Sequence, residues 1–205
     1  MRIPKHIGII PDGNRRWAVN HQMTKDKGYN YGLNPGLELL HSLKKLGVEE
    51  ITYYGFTVDN CKRPKAQFDA FSQACVDAVN MISKDGVDLL VLGNTESKCF
   101  PKALLPYTKR TPIGGGGPKV NFLVNYGWQW DLANLKKDGK PYSDDVSRID
   151  LIIRWGGMRR LSGFLPLQSV YADFYVVDKL WPDYSNDDLK AALNWYDKQD
   201  ITLGG

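Results

Sequence analysis

The feature that most constrains this chain is the alternation of short apolar runs with segments of helical period. Six runs have strand character: 6–10 (HIGII), 50–56 (EITYYGF), 87–92 (VDLLVL), 119–124 (KVNFLV), 149–153 (IDLII) and 173–178 (DFYVVD). They are rich in β-branched and aromatic residues, which suit a pleated surface buried on both sides. Between them, Leu39, Leu40, Leu43 and Leu46 recur at helical spacing over about 35–46, and Gly47 stops the helix. Pro64 suits the first position of a helix running to about Lys84. Further helices fall at about 96–108, 128–136 and 186–198, the first interrupted by Pro101 and Pro106. Strands separated by helices predict an α/β fold with a mostly parallel sheet and helices on both faces. A length of 205 residues suits one domain over 1–205, long enough to enclose a pocket as well as a core.

Composition narrows the class without naming it. With 42% hydrophobic and 24% charged residues the chain is neither disordered nor fibrous. A net charge of +4 is too small to imply nucleic acid, and the Lys and Arg residues are mixed with acids rather than drawn into a stripe. Cys61, Cys75 and Cys99 cannot all pair and form no Cys-x-x-Cys, so a reduced, cytosolic protein without structural zinc is expected. No apolar run approaches the roughly 18 residues that span a bilayer, and Met1 to His6 is not expected to be a signal peptide.

Sites in such sheets lie outside the carboxyl ends of the strands, so the residues after each strand carry the chemistry. After the first comes Asp12-Gly13-Asn14-Arg15-Arg16-Trp17. Gly13 allows close backbone approach, a helix starting here offers free N–H groups, and the arginines are bidentate donors for phosphate or carboxylate. Asp12 makes sense beside an anion if a hard cation such as Mg²⁺ joins it to phosphate oxygens; a turn with solvated arginines is the alternative. After the fifth strand comes a second candidate anion site, Arg154 to Phe164, with three arginines, Ser162 and three glycines. Two compact arginine-rich loops suggest two phosphorylated small molecules brought together. Phe56-Thr57-Val58-Asp59-Asn60 adds a third strand-end loop.

Other features read more plainly. Gly114 to Gly117 lacks a following helix or Lys-Ser/Thr, so a flexible loop is favoured over a phosphate cradle. Lys136 to Ser147 is a polar surface loop. Ala66, Ala70, Ala74 and Ala78 form a small-residue stripe, read first as close helix–sheet packing and second as the wall of an apolar channel. His6, His21 and His41 lack metal-ligand spacing.

These residues resemble a known family. The segment His6 to Ala18, then Phe56-Thr-Val-Asp-Asn60 with Arg63-Pro64, Asn125-Tyr126-Gly127, Trp130-Asp131 and the stretch from Asp150 to Asp183 are similar to the cis-prenyltransferases, the family of undecaprenyl diphosphate synthase. The resemblance implies a six-stranded, mainly parallel sheet with a hydrophobic tunnel, and a homodimer. It assigns catalysis to Asp12, Asn14 and Asn60, and metal binding to Asp12 and Asp173, with Mg²⁺ as cofactor. It assigns substrate binding to Gly13, Arg15, Arg16, Trp17, Lys25, Phe56, Arg63, Arg154, Arg160 and Ser162. The chain departs from the family pattern at Met158, where Glu is usual, at Gly163, where Asn is usual, and at Cys61 and Tyr29, where Trp and His are common. Asp173 replaces a longer Glu, the stretch between Asp131 and Asp150 is shorter, and Gln199 to Gly205 stands in place of the family's arginine-rich tail.

The expectation is therefore a Mg²⁺-dependent prenyltransferase that ionises an allylic prenyl diphosphate and couples it to a second isoprenoid diphosphate or other phosphorylated acceptor. The wording around Gly163 looks more like short relatives that make irregular, head-to-middle products from dimethylallyl diphosphate. Ordinary cis extension with isopentenyl diphosphate comes second. A rival from another class is a non-catalytic partner subunit of a heteromeric enzyme; such partners typically lose the aspartate that matches Asp12. The setting expected is cytoplasmic, with peripheral membrane contact through a lipid product.

Overall fold

The computed structural model describes residues 1–200. Its strands are β1 (His6–Ile10), β2 (Glu50–Thr57), β3 (Val87–Leu92), β4 (Thr111–Ile113), β5 (Lys119–Tyr126), β6 (Leu151–Trp155) and β7 (Asp173–Val177). The helices are α1 (Asn14–Asn20), α2 (Gly28–Tyr31), α3 (Leu33–Lys45), α4 (Lys65–Ile82), α5 (Trp128–Asp138) and α6 (Asn186–Tyr196). The strands form one sheet in the order β4-β3-β5-β2-β1-β6-β7, and every neighbouring pair is parallel except β3 with β4.

The sheet thus has seven strands, one more than expected. The extra strand, β4, is three residues long and antiparallel at the edge, with Val87 opposite Ile113. Its Thr-Pro-Ile is too short for periodicity to reveal, and Pro112 is tolerated because an edge strand needs no second ladder. The helix expected over 96–108 is instead turns followed by a 3-10 helix at Lys102–Tyr107. Pro101 and Pro106 deny it the donors a continuous α-helix requires.

The two faces of the sheet are covered differently. Ile7, Ile9, Ile51, Tyr53, Leu89, Val120, Phe122 and Ile153 point to one face, where Leu39, Leu40 and Leu43 of α3, Val79 of α4 and Leu193 of α6 bury them. Ile10, Tyr54, Leu123 and Ile152 point to the other, where Phe164 and Leu165 of the long β6–β7 connection pack. Gly8 is required there: a Cβ would lie 2.6 Å from the Phe164 ring. The chain leaves β1 toward the first face and β6 toward the second, so a crevice opens between the carboxyl ends of these neighbours.

The four-glycine segment is a turn between β4 and β5. Gly114 and Gly117 lie against the backbone of Gly86, where a Cβ on Gly117 would meet Gly86 O at 2.2 Å. This is the amino end of β3 and β5, remote from the crevice, and the segment holds backbone contacts rather than a phosphate. The expected surface loop 136–147 is partly wrong: α5 runs to Asp138, and Ser143 is fully buried. Ser143 donates its N–H and Oγ–H to the Asp131 carboxylate at 2.8 and 2.7 Å.

Candidate active site

The crevice is built from the turn after β1. Gly13 adopts φ 117°, which lets the chain swing from strand into α1 within three residues and leaves Asp12 at the strand end. Opposite, β6 delivers Arg154, which is 4% exposed. Its Nη2 donates to Asp12 Oδ2 at 2.9 Å, and its Nη1 donates to Ser162 Oγ at 2.9 Å and to the Arg160 carbonyl. Tyr54 Oη donates to the Ser162 carbonyl at 2.9 Å from β2. The loop bearing Arg160 and Ser162 is thus pinned from two strands, with Ser162 held at φ 53°. A non-glycine residue in that region is uncommon and marks a loop over-determined by its surroundings.

Arg16 lies 3.4 Å from Asp12 Oδ1, in room made by Gly156, whose Cβ would stand 2.5 Å from the guanidinium. The whole forms a cleft of about 890 Å³ lined by Asp12, Gly13, Asn14, Arg15, Arg16, Lys25, Asn60, Arg63, Arg154, Met158, Arg160 and Ser162, among others. Six of these are cationic, and Asp12 and Asp59 are the acids of the wall. Such a wall attracts anions strongly enough to concentrate them.

An apolar cavity of about 90 Å³ adjoins the cleft on the helix-covered face. Leu33, Gly36 and Leu37 of α3, Ala74, Ala78 and Met81 of α4, and Tyr53 and Phe122 of the sheet line it. The alanine stripe therefore divides: Ala74 and Ala78 face the cavity, whereas Ala66 is exposed. Packing, the favoured reading, does not account for the inner half.

Several expected site residues lie elsewhere. Trp17 turns away from the cleft; its indole N–H donates to Asp183 Oδ1 at 2.6 Å and its ring stacks on His21 at 3.9 Å. Phe56 is 1% exposed beneath the wall, edge-on to Phe68 and Phe71 at 5.6 and 5.2 Å. Asn60 reaches the cleft, but its Oδ1 accepts the Thr57 N–H at 2.8 Å and so caps the turn after β2. Asp173 does not join Asp12. It pairs with Leu151, which pairs with Ile7, so it stands at the amino end of the sheet. The separation from Asp12 is roughly 16 Å along the strand direction. Burial raises the Asp173 pKa and the nearby Arg2 lowers it. Arg15 points toward α4, 3.4 Å from Gln67 Oε1, and keeps its place on the cleft wall.

Tyr54 and Phe71 also line the cleft, although motif reasoning left them aside, as do Tyr29 and Met158, two of the departures from the family pattern. Tyr54 had a legible signal: it follows Thr52 on the same face near the end of β2. Gly163 explains one departure from the family pattern. It sits at φ 81°, and a Cβ would lie 2.7 Å from Trp128 Cδ1, so this chain has given that volume to a tryptophan.

For Mg²⁺, the fit turns on the donor set. Among the described residues no group of three or more acidic, His or Cys side chains converges. Asp12 offers a carboxylate, one-third exposed and held by two arginines, while Asp59, the other acid of the wall, pairs with Lys62 at 2.7 Å. Mg²⁺ is commonly bound by one or two carboxylates with the rest of its octahedron from substrate phosphate and water, so Asp12 fits a metal that arrives with a diphosphate. Asp12 would hold it, and the ion would supply charge neutralisation for a leaving diphosphate.

Fold and cleft together define an α/β protein with an arginine-walled cleft and an apolar annex. Residues 10–204 match the family model described as "Putative undecaprenyl diphosphate synthase". An isoprenyl transferase of Thermotoga maritima is 32% identical, with 100% of this chain and 98% of that protein aligned. A ditrans,polycis-undecaprenyl-diphosphate synthase ((2E,6E)-farnesyl-diphosphate specific) of Pasteurella multocida is 29% identical over 99% of this chain and 95% of its own length. Among solved structures, lavandulyl diphosphate synthase from Lavandula x intermedia in complex with dimethylallyl diphosphate superposes with a TM-score of 0.78. It is 23% identical and covers 98% of each chain, a likeness of fold. The chain belongs to the undecaprenyl diphosphate synthase family and is a prenyltransferase. Among the described residues no helix is long and apolar enough to cross a membrane.

Proposed function

We propose that this prenyltransferase, acting as one Mg²⁺-dependent catalytic domain, ionises a short allylic diphosphate and joins it to a second isoprenoid diphosphate in an irregular, head-to-middle coupling. The observation that carries the reading is the union of one anion cleft with a cavity of only about 90 Å³. That cavity is small beside the cleft of about 890 Å³ and suits a short prenyl tail better than a polyprenyl chain. Asn14, Arg16 and the Gly13 turn would hold the donor diphosphate; Arg154, Arg160 and Ser162 would hold the acceptor's. In the reaction the donor C1–O bond breaks, its electron pair leaving on diphosphate. The acceptor's alkene supplies the pair for the new C–C bond, and a proton is then lost. The cleft's cations, already oriented, stabilise the departing charge without reorganisation. Met158 favours the irregular mode: a thioether stands in the cleft wall where the family pattern has Glu, which would give a dimethylallyl acceptor an apolar contact.

Incubation with Mg²⁺, allylic diphosphates of five, ten and fifteen carbons, and labelled isopentenyl or dimethylallyl diphosphate tests this by product mass spectrometry. The expected product is a ten-carbon irregular diphosphate, abolished by chelation. Efficient multi-step extension with isopentenyl diphosphate would sink the irregular reading. Retention of Asp12 between two arginines speaks against a non-catalytic partner subunit.

A further inference from the structure

Tyr29 belongs to the cleft and to the apolar cavity at once. Five residues border both: Pro11, Asn14, Tyr29, Gly55 and Phe71. Three present backbone or small groups, and Gly55 cannot be enlarged, since a Cβ would lie 2.9 Å from Leu123 O. The opposite side of the neck is an aromatic pair. Tyr29 and Phe71 stack with centroids 4.4 Å apart and planes 3° from parallel. Phe56 backs Phe71 edge-on at 5.2 Å. Tyr29 is 4% exposed, and its Oη accepts from Arg63 Nη1 at 2.7 Å. The Arg63 guanidinium also lies 5.3 Å over the Phe71 ring. One cation of the cleft therefore holds both rings in place.

We propose that Tyr29, latched by Arg63 and stacked on Phe71, is the specificity-determining residue that limits the prenyl tail admitted from the cleft to the cavity. This rests on reading the cleft as the diphosphate end. A tail whose diphosphate sits on the arginines must pass between the Pro11–Asn14–Gly55 wall and the aromatic pair. With both rings in place the space beyond is the small apolar cavity. Without the Tyr29 ring, cleft and cavity merge and a longer tail gains room. Tyr29 lies on α2, which packs tightly on α1: a Cβ on its neighbour Gly28 would overlap the Asn14 carbonyl at 2.0 Å. The ring is thereby held by its backbone as well as its latch.

The test compares donors of five and fifteen carbons. Tyr29→Ala should raise kcat/KM for farnesyl relative to dimethylallyl diphosphate by about tenfold or more, the scale of hydrophobic-pocket discrimination. Tyr29→Phe keeps the ring and should keep the wild-type ranking to within about twofold on that scale. Phe71→Ala should move the ranking in the same direction as Tyr29→Ala. A folded, active Tyr29→Ala with the wild-type ranking overturns the proposal, as does a Tyr29→Phe that shifts it as far as alanine does. If Tyr29→Ala melts early, Tyr29→Leu and Phe71→Ala decide the question. If the wild type turns over no donor, the functional reading fails on its own. Calorimetric affinities of five- and fifteen-carbon thiolodiphosphates for wild type and variants then judge the neck separately.

Discussion

Polar side chains gather at both ends of the same central strands, and the two gatherings are opposites. At the amino end, His6 is 1% exposed, with Nε2 2.8 Å from Thr52 Oγ1 and Nδ1 3.0 Å from the Ser147 carbonyl. Asn121 donates to Glu50 Oε1 at 2.6 Å and to Thr52 Oγ1 at 2.9 Å, and accepts from Arg110 at 2.6 Å. Arg110 in turn pairs with Asp145 at 2.5 Å. Hydrogen-bonding capacity there is spent within the protein. At the carboxyl end, Arg15, Arg16, Lys25 and Arg160 face an open cleft, and Asp12 is their sparse counter-charge. Buried polar groups that satisfy each other hold a fold in one arrangement; cations left with spare donors bind what comes from solution. The same residue types thus serve structure at one end and chemistry at the other, according to how fully their partners lie within the chain.

The contrast can be broken from either end. Asp12→Ala should have the largest effect, lowering turnover by about 10³-fold, the scale of lost transition-state electrostatics, with little change in melting temperature. Steady-state kinetics beside thermal denaturation would show it, and unchanged turnover would end the catalytic assignment. Arg154→Ala should lower kcat/KM by about 10²-fold on that scale and raise KM for the acceptor above all. It frees the Arg160–Ser162 loop as well as removing a charge. At the amino end the signs reverse. Glu50→Ala should cost about 1–3 kcal/mol by leaving Asn121 and Ser147 short of an acceptor, while kcat below the melting range stays at the wild-type value. Urea unfolding and initial rates separate the two readouts.

The smallest expected effect concerns pH. Burial holds the His6 pKa below its ordinary 6.5, against the upward pull of Glu50 and Asp150. The unfolded chain therefore takes up a proton that the folded chain refuses. Stability from this group is present above about pH 6.5 and falls as pH drops below it, by at most about 1.4 kcal/mol per pH unit. Urea midpoints between pH 7 and pH 5 should fall less steeply in His6→Gln than in the wild type. Equal slopes would remove His6 from the account.

Much of the fold was legible because it is written locally. Strand runs, the α3 leucines and the Pro64 helix start depend on neighbours in sequence, and their bounds agree closely with β1, β3, α3 and α4. The strand-end rule was enough to single out Asp12 and Arg154 without any partner being known. Trp17 and Phe56 misled because a motif records position, whereas helix phase and packing turned one outward and buried the other. Asn60 was spent on a cap that no composition argument exposes.

By itself, then, the sequence determined the six longer strands, the mostly parallel sheet and the two arginine-rich loops at its carboxyl ends, since each follows from periodicity and turn chemistry within a few residues. Only the tertiary structure decided which of those residues meet. Strand register put Asp12 2.9 Å from Arg154 and left Asp173 at the far end of the sheet. Helix packing carried Tyr29 to the neck between cleft and cavity. Register and packing are set by the whole core at once, and that is why no single segment could announce them.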